Sequence, residues 1–203
     1  AFMYKYHSQF SALRNFIKNK KDTKLIQMSS TFGFPHLDKS NFRYSLKAGG
    51  GALLDAGSYA VSSIRNLSKE KIILKKAKLI KKNFEVDIKW HAQFISTNGT
   101  IYKANWYICD KYKNQILLDY EDITVVINRA FSKPRNLETS IDFYKNDKLF
   151  KTKNIKKDDH FKKMFNFFYN CCLNSDLRIN ENLEFLMQAK ALNEIFLKNK
   201  SNT

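Results

Sequence analysis

The chain has 203 residues, and its apolar content of 43% is enough to fill the core of one folded domain spanning residues 1–203. Its formal net charge of +17 would favour binding of nucleic acid. The lysines are spread over every segment, however, and there is no arginine-rich tract. We therefore expect a solvated basic surface, with nucleic-acid binding as the weaker alternative. No stretch approaches about 18 consecutive apolar residues and the amino end lacks a signal-peptide pattern, so we expect neither a membrane span nor export.

The first third of the chain predicts two helices separated by an extended segment and a long loop. Apolar residues recur with helical spacing over Ser8–Lys20, and Lys24–Phe34 alternates as a strand does. Residues 35–51 are irregular, and a loop of that length in a compact domain is usually functional. A second helix is expected over Ala52–Leu67.

The middle of the chain predicts strands. Glu70–Lys81 is rich in Ile and Leu, and residues 86–94 alternate with a strict period of two. Asn98-Gly99 predicts a hairpin with a type I′ turn. Further strands are expected over Tyr102–Ile108, Gln115–Tyr120, Ile123–Asn128, Thr139–Lys145 and Lys148–Thr152, with another turn at Asn146-Asp147.

Two helices, over Asp158–Leu173 and Ile179–Leu197, are expected to close the chain. This order of elements predicts an α+β fold, in which helices cover one face of a largely antiparallel open sheet. The uncovered face is then expected to be the surface through which copies of the chain form a homo-oligomer.

The cysteines indicate a reducing compartment. There are three, Cys109, Cys171 and Cys172, and the last two are neighbours that cannot easily bridge each other. Reduced thiols in a cytoplasmic protein are therefore expected. The spacing of cysteines and histidines predicts no metal site.

The segment from Gly49 to Tyr59 is the most informative part of the sequence. Gly49, Gly50 and Gly51 directly precede a predicted helix, so the backbone there could approach a ligand and the first helical amides could face an anion. Asp55 and Tyr59 are four residues apart and share one helical face. The alternative is a flexible turn, a carboxylate that only complements the helix dipole and a half-buried aromatic ring.

A carboxylate beside a phenol suits chemistry at a carbonyl group. A phenol can donate a proton to the alkoxide formed when hydride reaches a carbonyl carbon, provided that nearby positive charge tunes its pKa. The carboxylate of Asp55 could orient a sugar hydroxyl or the phenol of Tyr59.

Three ordered segments carry a family resemblance: FMYKYHSQ at residues 2–9, NFRY at 41–44 and GGGALLDAGSY at 49–59. They resemble the carboxy-terminal domain of the Gfo/Idh/MocA family, named for glucose-fructose oxidoreductase, inositol dehydrogenase and the rhizopine-catabolism protein MocA. Phe32-Gly33-Phe34-Pro35 and Arg129-Ala130-Phe131 look most like the branch of nucleotide-sugar 3-ketoreductases, with aldose and dihydrodiol dehydrogenases as near relatives.

The resemblance implies an NAD- or NADP-dependent oxidoreductase that acts on a sugar or nucleotide-sugar carbonyl or secondary alcohol. Family members bind the dinucleotide in an amino-terminal Rossmann domain, whereas this chain contains no Gly-x-Gly-x-x-Gly motif. We therefore expect the chain to be inactive without such a domain. The alternative is a non-catalytic module for oligomerisation or sugar binding.

The resemblance also assigns roles to single residues. Tyr59 is expected to transfer the proton with Asp55 as its partner, and Arg43 to hold substrate hydroxyls or phosphate, unless it is an ordinary surface arginine. Tyr4, Tyr6 and His7 follow the domain junction and are expected to border the nicotinamide. The alternative for the two tyrosines is packing in the core, and the alternative for His7 is capping of the local backbone.

Overall fold

The computed structural model describes residues 2–108 and 111–200, so Cys109 lies outside the described residues. The helices are α1 (Ser8–Asn19), α2 (Ser58–Leu67), α3 (His160–Leu173) and α4 (Ser175–Lys200), with 3-10 turns at Met3–Tyr6 and Phe42–Tyr44 and a π-helical turn at Leu53–Gly57. The strands are β1 (Leu25–Phe34), β2 (Ile72–Ile80), β3 (Lys89–Ser96), β4 (Ile101–Ile108), β5 (Lys113–Tyr120), β6 (Thr124–Asn128), β7 (Thr139–Lys145) and β8 (Lys148–Ile155).

The eight strands form one open sheet in the order β2-β3-β4-β1-β5-β6-β7-β8. The pair β1–β4 is parallel, and the other pairs are antiparallel. The predicted α+β class with a largely antiparallel sheet is confirmed. No helix within the described ranges is long and apolar enough to cross a membrane.

The alternating strands bury one face of the sheet beneath the helices. Trp90 on β3 and Trp106 on β4 are both buried on that face, with ring centroids 3.5 Å apart. Burying two such side chains removes several hundred Å² of largely apolar surface from water, which stabilises this layer strongly. The other face carries partly exposed polar side chains such as Lys103, Asn105 and Gln115. Oligomerisation through it stays a prediction.

Two of the predicted turns differ in their backbone geometry. The hairpin at Asn98-Gly99 is confirmed, but only Gly99 has a positive φ, so the predicted type I′ turn is wrong. The Asn98 side chain explains this, because its Oδ1 accepts hydrogen bonds from the Ser96 hydroxyl and the Thr100 amide and fixes the turn locally. Asn146 and Asp147, at φ 49° and 61°, form the type I′ turn instead.

The helix predicted from Ala52 begins with a π-helical turn, in which the Gly57 amide donates to the Ala52 carbonyl over 2.8 Å. A Cβ at Gly57 would lie 2.7 Å from atoms of the Trp106 ring, so glycine lets this turn approach the sheet closely. Such turns are frequently found at functional sites. Here the turn carries Asp55 and leads directly into Tyr59 on α2.

The last two helices lie partly outside the core. α3 begins after Asp159, whose carboxylate caps the helix by accepting a hydrogen bond from the Lys162 amide. α3 packs against the Met3–Tyr6 turn and α4, and α4 packs against β2 and α2. Cys171 and Cys172 on α3 are free thiols, as predicted.

Candidate active site

Tyr59, Asp55 and Arg43 line one open cleft of about 340 Å³. The π-helical turn supplies Asp55, α2 supplies Tyr59, and the long loop supplies Arg43. The other lining residues are Met3, Phe32, Phe34, Leu37, Ala56, Phe131 and Ser132. The structure therefore brings the three predicted polar residues together in an otherwise largely apolar cleft, an arrangement typical of small-molecule sites.

Arg43 and Asp55 form an ion pair in which Arg43 Nε donates to Asp55 Oδ2 over 2.5 Å. The Arg43 guanidinium also lies 4.7 Å from the centre of the Phe42 ring, which restrains its plane. Among the described residues its one hydrogen bond is to Asp55, although a guanidinium carries five N–H donors. Arg43 thus keeps donors for a polar ligand, and Asp55 orients them.

Tyr59 is half-buried among aromatic rings. Its ring meets those of Phe2 and Phe32 edge to face, with centroids 5.2 and 5.7 Å apart, and its hydroxyl lies 3.4 Å from the sulfur of Met3. Burial, and secondarily the Asp55 carboxylate, raise the pKa of Tyr59. The described residues therefore favour the neutral phenol, which is the opposite of the tuning by positive charge that was set as a condition for its role as proton donor.

The three glycines are placed differently from our expectation. The amides of Gly49, Gly50 and Gly51 donate to carbonyls of residues 43–46. The first amides of the π-helical turn are not free, because those of Ala52 and Leu53 donate to the backbone oxygen and the carboxylate of Asp87. The expectation of free helical amides is therefore wrong, since a carboxylate of the chain itself already occupies the anion site that such a terminus offers.

The glycines serve close packing of the protein's own backbone. Gly51 has a φ of +119°, and a Cβ there would lie 2.7 Å from Asp87 Oδ1. Gly50 has similarly little room beside the Phe42 and Arg43 carbonyls. The glycine segment thus closes the loop that carries Arg43 onto the turn that carries Asp55. Direct substrate contact by the glycines stays a prediction.

The prediction that Tyr4 borders the nicotinamide is wrong. Its side chain is 0% exposed, and its hydroxyl donates to Ser62 Oγ over 2.9 Å. Tyr4 is a core residue, which was the alternative given for it. Burial raises the pKa of its hydroxyl. Tyr6 lies outside the cleft, half-buried against Phe167 of α3.

His7 is also fully buried, so it cannot contact a cofactor, and that prediction is corrected. Its Nδ1 accepts a hydrogen bond from the Gln9 amide and caps α1, which confirms the alternative of backbone capping. The Gln9 side chain accepts from Lys133 Nζ over 2.8 Å. This buried group anchors the segment that presents Phe131 to the cleft.

The environment of His7 predicts acid sensitivity. Burial lowers the pKa of His7 to about 4 from 6.5, so the folded chain keeps the ring neutral while the unfolded chain takes up a proton. Stability present above pH 6.5 is therefore expected to fall as the pH falls toward 4. The midpoint of thermal denaturation, measured at several pH values, should fall less steeply with falling pH in His7→Asn than in the wild type. Asparagine keeps a capping oxygen but does not titrate. Equal pH dependence of the midpoint in the two proteins would contradict this account.

Several cleft residues escaped the sequence analysis. Met3, Phe131 and Ser132 line the cleft, and Asp87 holds its helical turn. None of them was assigned a role, although Met3 and Phe131 belong to segments that carry the family resemblance. Asp87 lies 34 residues from the Leu53 amide that it binds. Asp87 lies at a polar position of the alternating residues 86–94, where a charged side chain is ordinary, so the local sequence does not indicate its role.

Comparisons with known proteins support the predicted resemblance, although no protein-family model matches the chain. The chain is 24% identical, over 141 residues, to the dTDP-3,4-didehydro-2,6-dideoxy-alpha-D-glucose 3-reductase of Saccharopolyspora spinosa. Its structure is similar to KijD10, a 3-ketoreductase from Actinomadura kijaniata solved with NADP and TDP-benzene (TM-score 0.89, 19% identity). It is also similar to an aldose-aldose oxidoreductase from Caulobacter crescentus (TM-score 0.78, 14% identity).

These similarities cover the chain better than they cover the relatives. The alignment with the Saccharopolyspora reductase spans 69% of this chain but 42% of that protein. The structural matches span 97% and 100% of this chain, but 61% of the KijD10 chain and 62% of the Caulobacter chain. At such identities the structural matches show the fold, which is that of the carboxy-terminal domain predicted from the resemblance.

Proposed function

We propose that this chain, which has the fold of the carboxy-terminal domain of Gfo/Idh/MocA oxidoreductases, is the substrate-side domain of a nicotinamide-dependent sugar oxidoreductase. The observation that carries the proposal is the cleft itself. A neutral phenol, Tyr59, and an oriented guanidinium, Arg43, line one small cleft. A proton donor and a polar clamp are the groups that reduction of a hydroxylated ketone requires.

The proposed substrate is a nucleotide sugar with a ketone on its ring. The curated relative is named as a reductase of a dTDP-linked sugar, and KijD10 was solved with a TDP ligand. A net charge of +17 favours encounter with an anionic diphosphate. Within the cleft, Arg43 would donate hydrogen bonds to sugar hydroxyls or phosphate, and the apolar wall around Phe131 would exclude water.

Reduction needs a hydride and a proton delivered to the two ends of one carbonyl. The hydride for the carbonyl carbon would come from a reduced nicotinamide dinucleotide when one is bound. Tyr59 donates its hydroxyl proton to the ketone oxygen as negative charge develops there, which yields a secondary alcohol and a tyrosinate. Solvent then returns a proton to Tyr59. The phenol of Tyr59 is protonated near neutral pH, because burial raises its pKa above the ordinary value.

Among the described residues, the cleft and the helical turn beside it offer no site for the phosphates of the cofactor. The helical terminus nearest to the cleft is already occupied by Asp87, and the sequence contains no glycine-rich phosphate loop. We therefore propose that NAD or NADP is held mainly by a separate dinucleotide-binding domain. Without it, hydride donor and carbonyl cannot be held about 3–3.5 Å apart, so the chain alone is expected to be inactive.

The experiment compares the 203-residue chain with the protein encoded by its whole reading frame. Each would be mixed with a dTDP-linked 3-ketosugar and NADPH or NADH, and nicotinamide oxidation followed by absorbance. We expect turnover by the whole protein and none by the 203-residue chain. If both proteins bind the sugar nucleotide and neither turns it over, the chain is a non-catalytic module.

A further inference from the structure

The two edge strands of the sheet, β2 and β8, differ in how they are covered. Helix α4 packs against β2, and the side-chain oxygen of Asn199 accepts a hydrogen bond from the Leu79 amide over 2.8 Å. In the described part of the chain β8 pairs with β7 alone, and residues 148–154 of β8 are all exposed. The backbone of β8 is therefore open to a further strand, whereas that of β2 is covered.

An open strand edge carries hydrogen-bonding groups in a fixed pattern. In an antiparallel pair, alternate residues aim their N–H and C=O groups away from the neighbouring strand. About half of the residues of β8 therefore present both a donor and an acceptor to solvent. An extended polypeptide that adds to the sheet satisfies both kinds of group, which is the mode of recognition called β-augmentation.

The segment around β8 is strongly basic. Residues 145–157 contain six lysines and a single acidic residue, Asp147. The lysines are Lys145, Lys148, Lys151, Lys153, Lys156 and Lys157. All six are exposed, and none of them forms an ion pair with another described residue. Their charge therefore remains available to attract an anionic partner.

Two of these lysines are placed to read the side chains of an added strand. Lys151 and Lys153 lie opposite Phe143 and Ile141 of β7, on the face of the sheet that α1 covers. With Phe16 of α1 these residues line a hollow of about 380 Å³. Acidic side chains at alternate positions of a ninth strand would lie directly across from Lys151 and Lys153 and form cross-strand ion pairs with them.

Charge and hydrogen bonding both narrow the choice of partner. Two copies of β8 paired antiparallel about Thr152 would place Lys151 of one copy opposite Lys153 of the other, and like charges in that position are destabilising. Lysines on an edge strand thus keep copies of the chain apart. A nucleic-acid backbone offers the phosphate as an acceptor, so the outward carbonyls of β8 would stay without a donor. An acidic polypeptide segment matches both the charge and the backbone groups.

We propose that β8 is the docking site for an extended acidic segment of another polypeptide. The segment adds to the sheet as a ninth strand and carries Asp or Glu at alternate positions, facing Lys151 and Lys153. This inference does not rest on the proposed function, because the hollow beside β8 and the active-site cleft share no lining residue.

Fluorescence anisotropy with the 203-residue chain tests the docking. The probe is a fluorescein-labelled peptide in which glutamate alternates with threonine, and we expect saturable binding. A second peptide has its two central threonines replaced by proline, which keeps the charge but prevents strand pairing. It should bind at least about tenfold more weakly. Hydrogen exchange should show slower exchange of the β8 amides with the first peptide and unchanged exchange with the second.

Charge reversal on β8 tests the role of the two lysines. Lys151→Glu with Lys153→Glu should weaken binding of the glutamate peptide by roughly tenfold or more and confer binding of a peptide in which lysine alternates with threonine. Lys75→Glu with Lys76→Glu makes the same change of charge on β2, the covered edge, and should leave the binding of both peptides as in the wild type. Circular dichroism and the thermal midpoint of each variant establish that it is folded.

Three results would overturn the inference. Equal affinity for the threonine and proline peptides would mean that no strand is added. Equally tight binding of a single-stranded DNA of the same charge, or an equal loss of peptide binding in the two charge-reversed variants, would mean general attraction to a basic surface. A wild-type chain that sediments as a dimer, and becomes a monomer in Lys151→Glu with Lys153→Glu, would mean that a second copy occupies β8.

Discussion

Replacing Tyr59 with phenylalanine in the whole enzyme is expected to lower kcat by about 10²–10⁴-fold, the usual contribution of a positioned proton donor. The substitution removes one oxygen atom and keeps the ring that packs against Phe2 and Phe32. KM should change little, because the lost interaction acts mainly in the transition state. Steady-state kinetics with NADPH and the nucleotide-sugar ketone would measure both constants.

A matched control is available on the open face of the sheet. Tyr144→Phe makes the same chemical change at a partly exposed position of β7, far along the sheet order from α2, and should leave kcat unchanged. Unaltered kcat in Tyr59→Phe would mean that another group delivers the proton, and the role of Tyr59 would have to be abandoned.

Gly51→Ala is expected to destabilise the chain by about 3 kcal/mol, because two costs add at this position. Its φ of +119° is a conformation that residues with a Cβ rarely adopt. The new Cβ would also lie 2.7 Å from the carboxylate of Asp87, the group that caps the turn below the cleft. Urea denaturation of the wild-type and variant chains would measure the change in the free energy of unfolding.

Gly49→Ala measures the cost of the positive φ without the cost of a steric clash. Gly49 also has a positive φ, of +74°, but nothing lies within 4 Å of its missing Cβ. The variant should therefore lose only about 1–2 kcal/mol, the steric penalty of a left-handed backbone. Equal losses for the two variants would contradict the packing between Gly51 and Asp87.

The fold could be predicted from local patterns because its strands are strongly periodic. The alternation of Trp90, Ala92 and Phe94 predicts one buried face of a strand. The order of helices and strands then limits the number of possible fold classes. Turn geometry was less accessible. At Asn98 a side-chain hydrogen bond, which depends on neighbouring residues in space, overrides the preference of the Asn-Gly pair.

The candidate site could be predicted only in part. Spacing placed Asp55 and Tyr59 on one face, and the structure adds their shared cleft with Arg43. Asp87 was missed because its partner amide is distant in sequence, and such contacts leave no local pattern. Tyr4 was misassigned because position near a domain junction does not distinguish a pocket wall from a core side chain.

The most direct measurement of the central claim is a crystal structure of the whole enzyme with NADP and a nucleotide-sugar ligand. It should place the Tyr59 hydroxyl about 2.6–3.2 Å from the oxygen at the reacting sugar carbon. A ligand seated in the cleft with that hydroxyl turned away from the reacting carbon would contradict the account.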